Sequence, residues 1–149
     1  MTEPTLIQMI SSPPPSQENH PPVRLLAPRT TLAKRRWRGA AEDGREFGFD
    51  LEKALRHGTL FFSDGVNHYV VEQTPEEVLE IPVATLAESA RVAWNLGNLH
   101  FPVQVLAQAV RVVEDPAVLQ FLSREHLSYQ RITSVFLPLS AGAHHHSHG

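Results

Sequence analysis

Apolar and polar residues alternate along much of the first half of the chain, with the period of two that is typical of β-strands. In "RWRGAAEDGREFGFDL", every second residue from Phe47 to Leu51 is apolar, and Asp43-Gly44 separates this run from the one before it. Asp-Gly supplies the positive φ that a tight turn needs, so the stretch predicts a β-hairpin with one buried face. Asp64-Gly65 recurs in the same setting in "TLFFSDGVNHYVVEQ". Residues 31–75 are therefore predicted to form a β-rich domain.

The period of the apolar positions changes from two to about four in the second half of the chain. The run "ATLAESARVAWNLGN" contains Thr85 and, three residues later, Glu88, which is the capping-box pattern at the start of a helix. Gly97 and Asn98 tolerate a left-handed backbone and predict the end of this helix, which places His100 just past it. The stripe predicted to face the core consists of Leu86, Ala90, Ala93 and Trp94.

The rest of the second half predicts four strands and one more helix. The strands are "EEVLEI", "PVQVLA", "AVRVV" and "YQRITSVFLPL". Asp115 and Pro116 are an N-cap and a first-turn proline. The apolar residues of the helix that follows are Val118, Leu119 and Leu122. The order β-α-β-β-α-β is the ferredoxin-like split motif, assigned to residues 76–139. The predicted fold class is α+β, with a β-rich N-terminal domain followed by a ferredoxin-like domain.

Both ends of the chain differ in composition from these two domains. Residues 11–22 contain five prolines among Ser, Gln, Glu and Asn, a composition that cannot bury enough apolar surface to become ordered. We therefore predict a mobile segment over residues 1–30 and a flexible tail rich in histidine over residues 140–149. The start lacks a charged region leading into a long apolar core, and no run approaches about 18 apolar residues. We expect a cytoplasmic protein that does not enter membranes.

Charge and cysteine content narrow the function. The chain carries 13 Lys and Arg against 16 Asp and Glu, which gives no electrostatic reason to expect nucleic-acid binding. The local basic run "KRRWR" is interpreted as the solvated side of a strand. Because there is no cysteine, a transition metal must be held by imidazole and oxygen ligands, which favours nickel, copper or zinc. Adjacent carboxylates fit turns and strand entries and have no nucleophile-base pair beside them, so an enzyme is not expected.

Histidine is the residue type that such a metal site needs. Four of the nine histidines lie in the last six residues, and His100 stands in "NLGNLHFP". The two features could be parts of one metal site. The competing interpretations are a structural histidine that complements the helix dipole for His100, and a remnant of a purification tag for the tail. His57 and His68 are interpreted as surface or structural residues, and His126 as a residue that complements the dipole at the C-terminal end of the second helix.

Four segments stand in a recognisable order along the chain: "AEDGREFGFDL", "DGVNHYVVEQTPEEVLEIP", "NLGNLHFPVQV" and the histidine-rich end. Together they resemble the UreE family of urease accessory proteins, which are nickel metallochaperones, from about Thr31 to the C-terminus. The resemblance implies a β-rich N-terminal domain often called peptide-binding and a ferredoxin-like metal-binding domain that forms a homodimer. It also implies nickel delivery to the apo-urease complex with the urease accessory GTPase as partner. Ni(II) would be the cargo, Zn(II) or Cu(II) could bind in vitro, and a dimer of dimers around one metal stays open.

The family's metal ligands are carried over by motif and by position. Its Gly-Asn-Arg-His motif falls on residues 97–100, so the resemblance makes His100 a ligand, with Leu99 in place of the usual arginine. The tail ligands of the family map by position onto His144, His145, His146 and His148.

A two-fold dimer axis would bring His100 of both protomers to one ion, because an isologous interface presents the same residue twice. The apolar residues predicted around that axis are Trp94, Leu96, Phe101 and Val103. The sequence thus predicts a metallochaperone that delivers Ni(II) for assembly of the urease active site. The alternative is a non-enzymatic interaction module, whose β-domain binds a partner peptide along a strand edge while metal binding is incidental.

Overall fold

The computed structural model describes residues 7–13 and 22–139. These residues form ten strands and three helices, which confirms the α+β class. They divide between Thr74 and Pro75 into two compact units, and each unit has its own hydrophobic core. None of the three helices in the described ranges has the length and apolar character needed to cross a membrane.

The first unit contains two three-stranded sheets within the described residues. Its elements are β1 (Ile7–Ile10), β2 (Pro22–Ala27), α1 (Arg29–Leu32), β3 (Arg36–Ala40), β4 (Glu46–Asp50), β5 (Leu60–Ser63) and β6 (His68–Gln73). The strand orders are β1-β4-β3 and β2-β6-β5. Side chains from both sheets form one aromatic core, in which the ring of Phe47 meets the rings of Phe61 and Tyr69 at centroid distances of 4.9 and 5.0 Å.

Both hairpins that the Asp-Gly pairs predict are present. Strand β3 pairs antiparallel with β4, and β5 pairs antiparallel with β6. Gly44 and Gly65 adopt φ angles of 89° and 88° in the two turns, a conformation that costs glycine little. The arginines of the basic run on β3 are exposed on either side of the half-buried Trp37, so this run is the solvated side of a strand, as predicted.

Two strands lie in the N-terminal segment that the sequence predicted to be mobile. Strand β1 pairs in parallel with β4, with Ile7 opposite Glu46, and β2 pairs in parallel with β6, with Pro22 opposite His68. The prediction of a mobile segment over residues 1–30 was wrong for these two stretches. Parallel pairing joins residues far apart in sequence and has no local turn signal, and the proline-rich composition hid two short apolar runs. Residues 14–21, which hold much of that composition, lie outside the described residues.

An ion pair joins the two hairpin turns of the first unit. Arg45 Nη1 lies 3.1 Å from Asp64 Oδ2, and the guanidinium lies over the ring of Phe62, 4.7 Å from its centroid. The backbone N–H groups of Asn67 and Val66 donate to Asp64 Oδ1 at 2.7 and 2.9 Å. These two hydrogen bonds, with a smaller contribution from Arg45, lower the pKa of the Asp64 carboxyl below its ordinary value of 3.8.

The second unit is a four-stranded sheet with two helices. Its elements are β7 (Glu76–Pro82), α2 (Leu86–Asn98), β8 (Val103–Val105), β9 (Ala109–Val112), α3 (Pro116–Arg124) and β10 (Gln130–Ser134). The strand order is β10-β7-β9-β8, and every neighbouring pair is antiparallel. The core residues shared by sheet and helices include Leu79, Ile81, Val110, Val92, Leu96 and Leu122.

Both helices of the second unit begin where the sequence predicts. Thr85 Oγ1 accepts a hydrogen bond from the backbone N–H of Glu88 at 3.1 Å, and the Glu88 carboxylate accepts one from the backbone N–H of Ala84. Asp115 Oδ1 accepts from the backbone N–H of Ala117 at 2.8 Å, with proline in the first turn of α3. The side chains thus satisfy N–H groups that a helix start otherwise leaves without partners.

The face of α2 that packs on the sheet is not the predicted one. Leu86 and Trp94 are 87% and 67% exposed. The buried residues of the helix are instead Ser89, Val92 and Leu96. The helix carries two overlapping stripes of apolar residues at helical spacing. The stripe that faces the sheet includes a buried serine, so the pattern of apolar residues alone does not distinguish it from the other. The prediction of the buried stripe was therefore wrong.

The same result changes the residues expected around a dimer axis. Leu96 and Val103 are 0% and 8% exposed within the protomer, since both belong to the core of the second unit. They cannot form an interface without leaving that core. Trp94 remains available on the surface, and Phe101 is partly buried against the core.

A crossing segment, residues 135–139, follows β10 and ends at the opposite edge of the sheet. The Leu137 N–H donates to Gln104 Oε1 at 3.1 Å, and the Leu139 N–H donates to the Val103 carbonyl oxygen at 2.8 Å, both in β8. Three strand spacings of about 4.8 Å separate β10 from β8, a distance that five extended residues span. The segment runs over the face away from the helices, because Gln104 alternates in β8 with Val103, which belongs to the core beneath them. Phe136 is fully buried.

The buried face of α2 can be tested by truncating one residue on each side of the helix. Leu96→Ala is expected to lower the free energy of unfolding by about 2–5 kcal/mol, because it leaves a cavity in the core. Leu86→Ala, on the exposed side, should change it by less than about 0.5 kcal/mol. Urea unfolding measures both. A larger loss for Leu86→Ala than for Leu96→Ala would contradict the observed helix orientation.

The ion pair between the turns predicts a dependence of stability on pH. Since the pKa of Asp64 is lowered in the folded unit, its contribution to stability is present above the ordinary value of 3.8 and is lost as the pH falls through the folded pKa. Asp64→Asn keeps the oxygen that accepts from the turn but loses the charge. The wild type should therefore be more stable than Asp64→Asn at pH 7, with a difference that shrinks below about pH 4.

The matched control for that comparison is Asp50→Asn, which removes an ion pair to Arg36 on an exposed strand. Exposed pairs of this kind contribute little, so thermal unfolding of this variant should follow the wild type across the same pH range. A constant difference between the wild type and Asp64→Asn from pH 7 to pH 3 would refute the role given to the carboxylate.

Candidate metal centre

His100 occupies the residue where the backbone leaves helix α2. Its φ is 69°, in the left-handed region, its N–H donates to the Gly97 carbonyl oxygen at 2.9 Å, and the N–H of Phe101 donates to the Leu96 carbonyl oxygen at 3.1 Å. This pair of hydrogen bonds is the Schellman arrangement of a helix C-terminus. Phe101 then packs against the core that contains Leu96.

The sequence predicted the left-handed residue at the helix end two to three positions too early. Gly97 and Asn98 were expected to take the left-handed conformation, but both lie inside α2, and His100 takes it instead. The hydrophobic contact that accompanies a Schellman ending requires Leu96 and Phe101 to meet, and this requirement outweighs the ease with which glycine turns. The prediction that His100 lies just past the helix is confirmed.

The surroundings of His100 are open and apolar. His100 is exposed, and Leu99, which stands where the resemblance leads one to expect arginine, is 40% exposed. Trp94, six residues before His100 in α2, is 67% exposed. An imidazole in this position is accessible to a metal ion from solvent. The backbone on both sides of it is fixed by hydrogen bonds.

The other described histidines differ from His100 in their surroundings. His57 Nδ1 accepts a hydrogen bond from the backbone N–H of Gln73 at 2.9 Å, which gives it a structural role. His68 is 2% exposed in the core of the first unit. His126 follows α3 as His100 follows α2, with a φ of 54° and the same hydrogen-bond pattern at its helix end. His20 lies outside the described residues.

The described part of the chain does not hold a complete metal site. Across residues 7–13 and 22–139, no three His, Asp or Glu side chains come together in a group that could hold a metal ion. The predicted tail ligands lie outside the described residues: His144, His145, His146 and His148. Among the described residues, His100 is therefore a candidate ligand without a complete set of ligands around it.

The last described residue is hydrogen-bonded to the strand that follows His100, a feature that the sequence did not reveal. Leu139 is hydrogen-bonded to Val103, which is three residues after His100. From the spacing of Cα atoms, Leu139 lies within about 17 Å of His100. The five residues from Leu139 to His144 can span about 18 Å. The chain beyond Leu139 is long enough for a tail imidazole to meet that of His100.

Comparison with known proteins identifies the family. A family model described as "UreE urease accessory protein, C-terminal domain" matches residues 76–149. The "Urease accessory protein UreE" of Beijerinckia indica subsp. indica is 32% identical over an alignment of 122 residues, and the match covers 77% of this chain and 70% of that protein. The chain belongs to the UreE family. The resemblance inferred from the four segments is confirmed.

Other UreE proteins match over similar lengths. The protein of Corynebacterium efficiens is 34% identical over 120 residues, 78% of this chain and 80% of its own. The protein of Ralstonia nicotianae is 29% identical over 130 residues, and the chain spans only 62% of its length. All three relatives are named as accessory proteins of urease, not as urease itself.

The observed helix ending predicts opposite responses to glycine at two neighbouring positions. His100→Gly should be more stable than His100→Ala by about 1 kcal/mol, because alanine resists the left-handed conformation. Asn98→Gly should be less stable than Asn98→Ala, because residue 98 is helical. Urea unfolding of the four variants gives both differences. The reverse order at both positions would place the left-handed residue at position 98 and not at position 100.

Proposed function

We propose that this UreE protein is a cytoplasmic nickel metallochaperone, which delivers Ni(II) for assembly of the urease active site. It holds the ion through His100 of two protomers with help from the histidines of the C-terminal tail. The observation that carries the proposal is the position of His100, which is exposed at a fixed helix end beside the start of the tail. Because the chain belongs to the UreE family, we interpret this exposed histidine as a metal ligand.

Two domains carry this function in our proposal. The first is the β-rich peptide-binding domain of residues 31–75, to which the structure adds β1 and β2. The second is a ferredoxin-like metal-binding and dimerisation domain of residues 76–139. Its support is the strand order β10-β7-β9-β8, in which the fourth, first, third and second strands of a β-α-β-β-α-β unit lie side by side.

A two-fold axis near His100 turns one weak ligand into a pair. An isologous interface presents the same residue from both protomers, so two imidazoles can reach one ion. Exposed apolar residues lie within six residues of His100 along the chain and would give such an interface contact area: Trp94, Leu99 and Val105. Exposed apolar groups of this kind mark interaction surfaces when they form one patch.

The tail supplies the remaining imidazoles. The chain between Leu139 and the tail histidines is long enough for their imidazoles to reach His100. These histidines are His144, His145, His146 and His148. Nickel ranks high in its affinity for neutral imidazole, and Zn(II) or Cu(II) would compete for the same ligands in vitro. The cargo chemistry therefore fits a chain without cysteine.

Delivery requires release as well as binding. A site made of a few neutral imidazoles, some of them on a tether, exchanges its ligands more readily than a closed cage of four thiolates. Imidazole must also lose its proton to bind, so acidification releases the metal. We propose the apo-urease complex and the urease accessory GTPase as the partners that receive nickel, and a dimer of dimers around one ion as a further assembly.

The proposal predicts the effects of separating His100 from the tail. His100→Asn removes both fixed imidazoles of the dimer, and asparagine tolerates the left-handed backbone, so the helix end is kept. This variant should lose the high-affinity nickel site. Deletion of residues 140–149 should instead weaken affinity and leave about one nickel per dimer. Isothermal titration at pH 7.5 with nickel, and then with zinc, measures both.

The matched control is His126→Asn, which removes the histidine at the equivalent ending of α3 and should bind nickel like the wild type. Light scattering on metal-free protein should give about twice the chain mass of 16.6 kDa for every variant. If His100→Asn keeps the affinity of the wild type while the tail deletion abolishes binding, His100 is structural and the proposal fails.

A further inference from the structure

The C-terminal tail begins at a fixed point, because the crossing segment is held along its length. Phe136 is fully buried, the Leu137 N–H donates to the Gln104 side chain, and the Leu139 N–H donates to the Val103 carbonyl oxygen. The side chains of Leu137 and Leu139 are themselves 44% and 67% exposed. These two residues are therefore held to β8 by their backbone N–H groups and not by burial of their side chains.

The direction of the crossing segment decides where the tail starts. Strand β10 ends at Ser134 on one edge of the sheet, and β8 is the strand on the other edge. A tail that left the unit directly after Ser134 would start three strand spacings, about 14 Å, away from β8. The crossing segment moves the start to Val103, on the strand that His100 leads into.

We propose that Gln104 and the crossing segment, residues 135–139, are positioning elements for the metal site. They hold the start of the tail beside His100 and so raise the effective concentration of tail imidazoles there. This inference rests on the proposed function, since it assigns the crossing segment a part in the same nickel site. Gln104 is a positioning residue in this scheme, because it touches the backbone of Leu137 and not the metal.

The expected size of the effect follows from the length of free tether. The effective concentration of a tethered ligand falls roughly as the −3/2 power of tether length. With both polar anchors removed, the last held residue becomes Phe136 instead of Leu139, which lengthens the tether to the tail histidines by about half. The contribution of the tail to nickel affinity should then fall about twofold.

The test removes the two polar anchors without touching a buried side chain of the core. Leu139→Pro deletes the N–H that donates to Val103, and Gln104→Ala deletes the oxygen that accepts from Leu137. The matched control is Leu139→Ala, which changes the same exposed side chain and keeps the N–H. Nickel affinity is measured for the double variant and for the control, each with the full tail and each shortened to end at residue 139.

A second measurement reports the position of the tail without any metal. The chain has no cysteine, so Ala141→Cys can carry a single spin label. In metal-free protein the label should broaden the amide signals of His100 and Val103. The broadening should weaken when Gln104→Ala and Leu139→Pro are added, and it should persist with Leu139→Ala. A general loss of stability would not change the broadening of these two signals selectively.

With the full tail, we expect the double variant to bind nickel about twofold more weakly than the control. When both chains end at residue 139, we expect equal affinity. Equal affinity with the full tail, or unchanged broadening, would overturn the inference. If removal of the tail leaves the nickel affinity of the wild type unchanged, the part of the tail in the proposed function fails instead. The spin label then still decides whether the crossing segment positions the tail.

Discussion

The packing of α2 on the four-stranded sheet is the constraint from which the site follows. Val92 and Leu96 are buried in the core, so the last turn of the helix is fixed against the sheet. The hydrogen bond from Phe101 to Leu96 then closes the helix and leaves His100 in the left-handed conformation. Glycine would adopt this conformation at lower cost, and a histidine in its place holds an imidazole outward from a rigid support.

Strain at a helix end does not by itself identify a metal ligand. His126 ends α3 in the same conformation, and no argument from backbone geometry separates it from His100. The two differ in their neighbours. The start of the histidine-rich tail is hydrogen-bonded to the strand that His100 leads into, and this connection is what makes His100 the better candidate for a shared site.

The parts of the structure that the sequence predicts are those set by local chemistry. The Asp-Gly turns and the capping residues Thr85 and Asp115 act within a few residues, so their patterns are readable. The stripe on α2 and the parallel pairing of β1 and β2 depend on distant partners, and both were missed. At the site, His100 could be found from the family motif. Gln104 and Leu139 have no sequence signal, because they act through contacts with the backbone that only the fold creates.

The crossing segment has a second consequence, for the solubility of the protein. Strand β8 is at the edge of its sheet, and an edge strand with unpaired carbonyl and N–H groups is a template for pairing with another chain. The N–H of Leu139 donates to the carbonyl oxygen of Val103, the first residue of this strand, and Phe136 in the same segment is fully buried. A chain shortened to end before residue 135 would lose more than the attachment of the tail to β8. It would also lose the buried side chain of Phe136 and leave the edge of β8 open, and an open edge strand promotes aggregation of β-proteins.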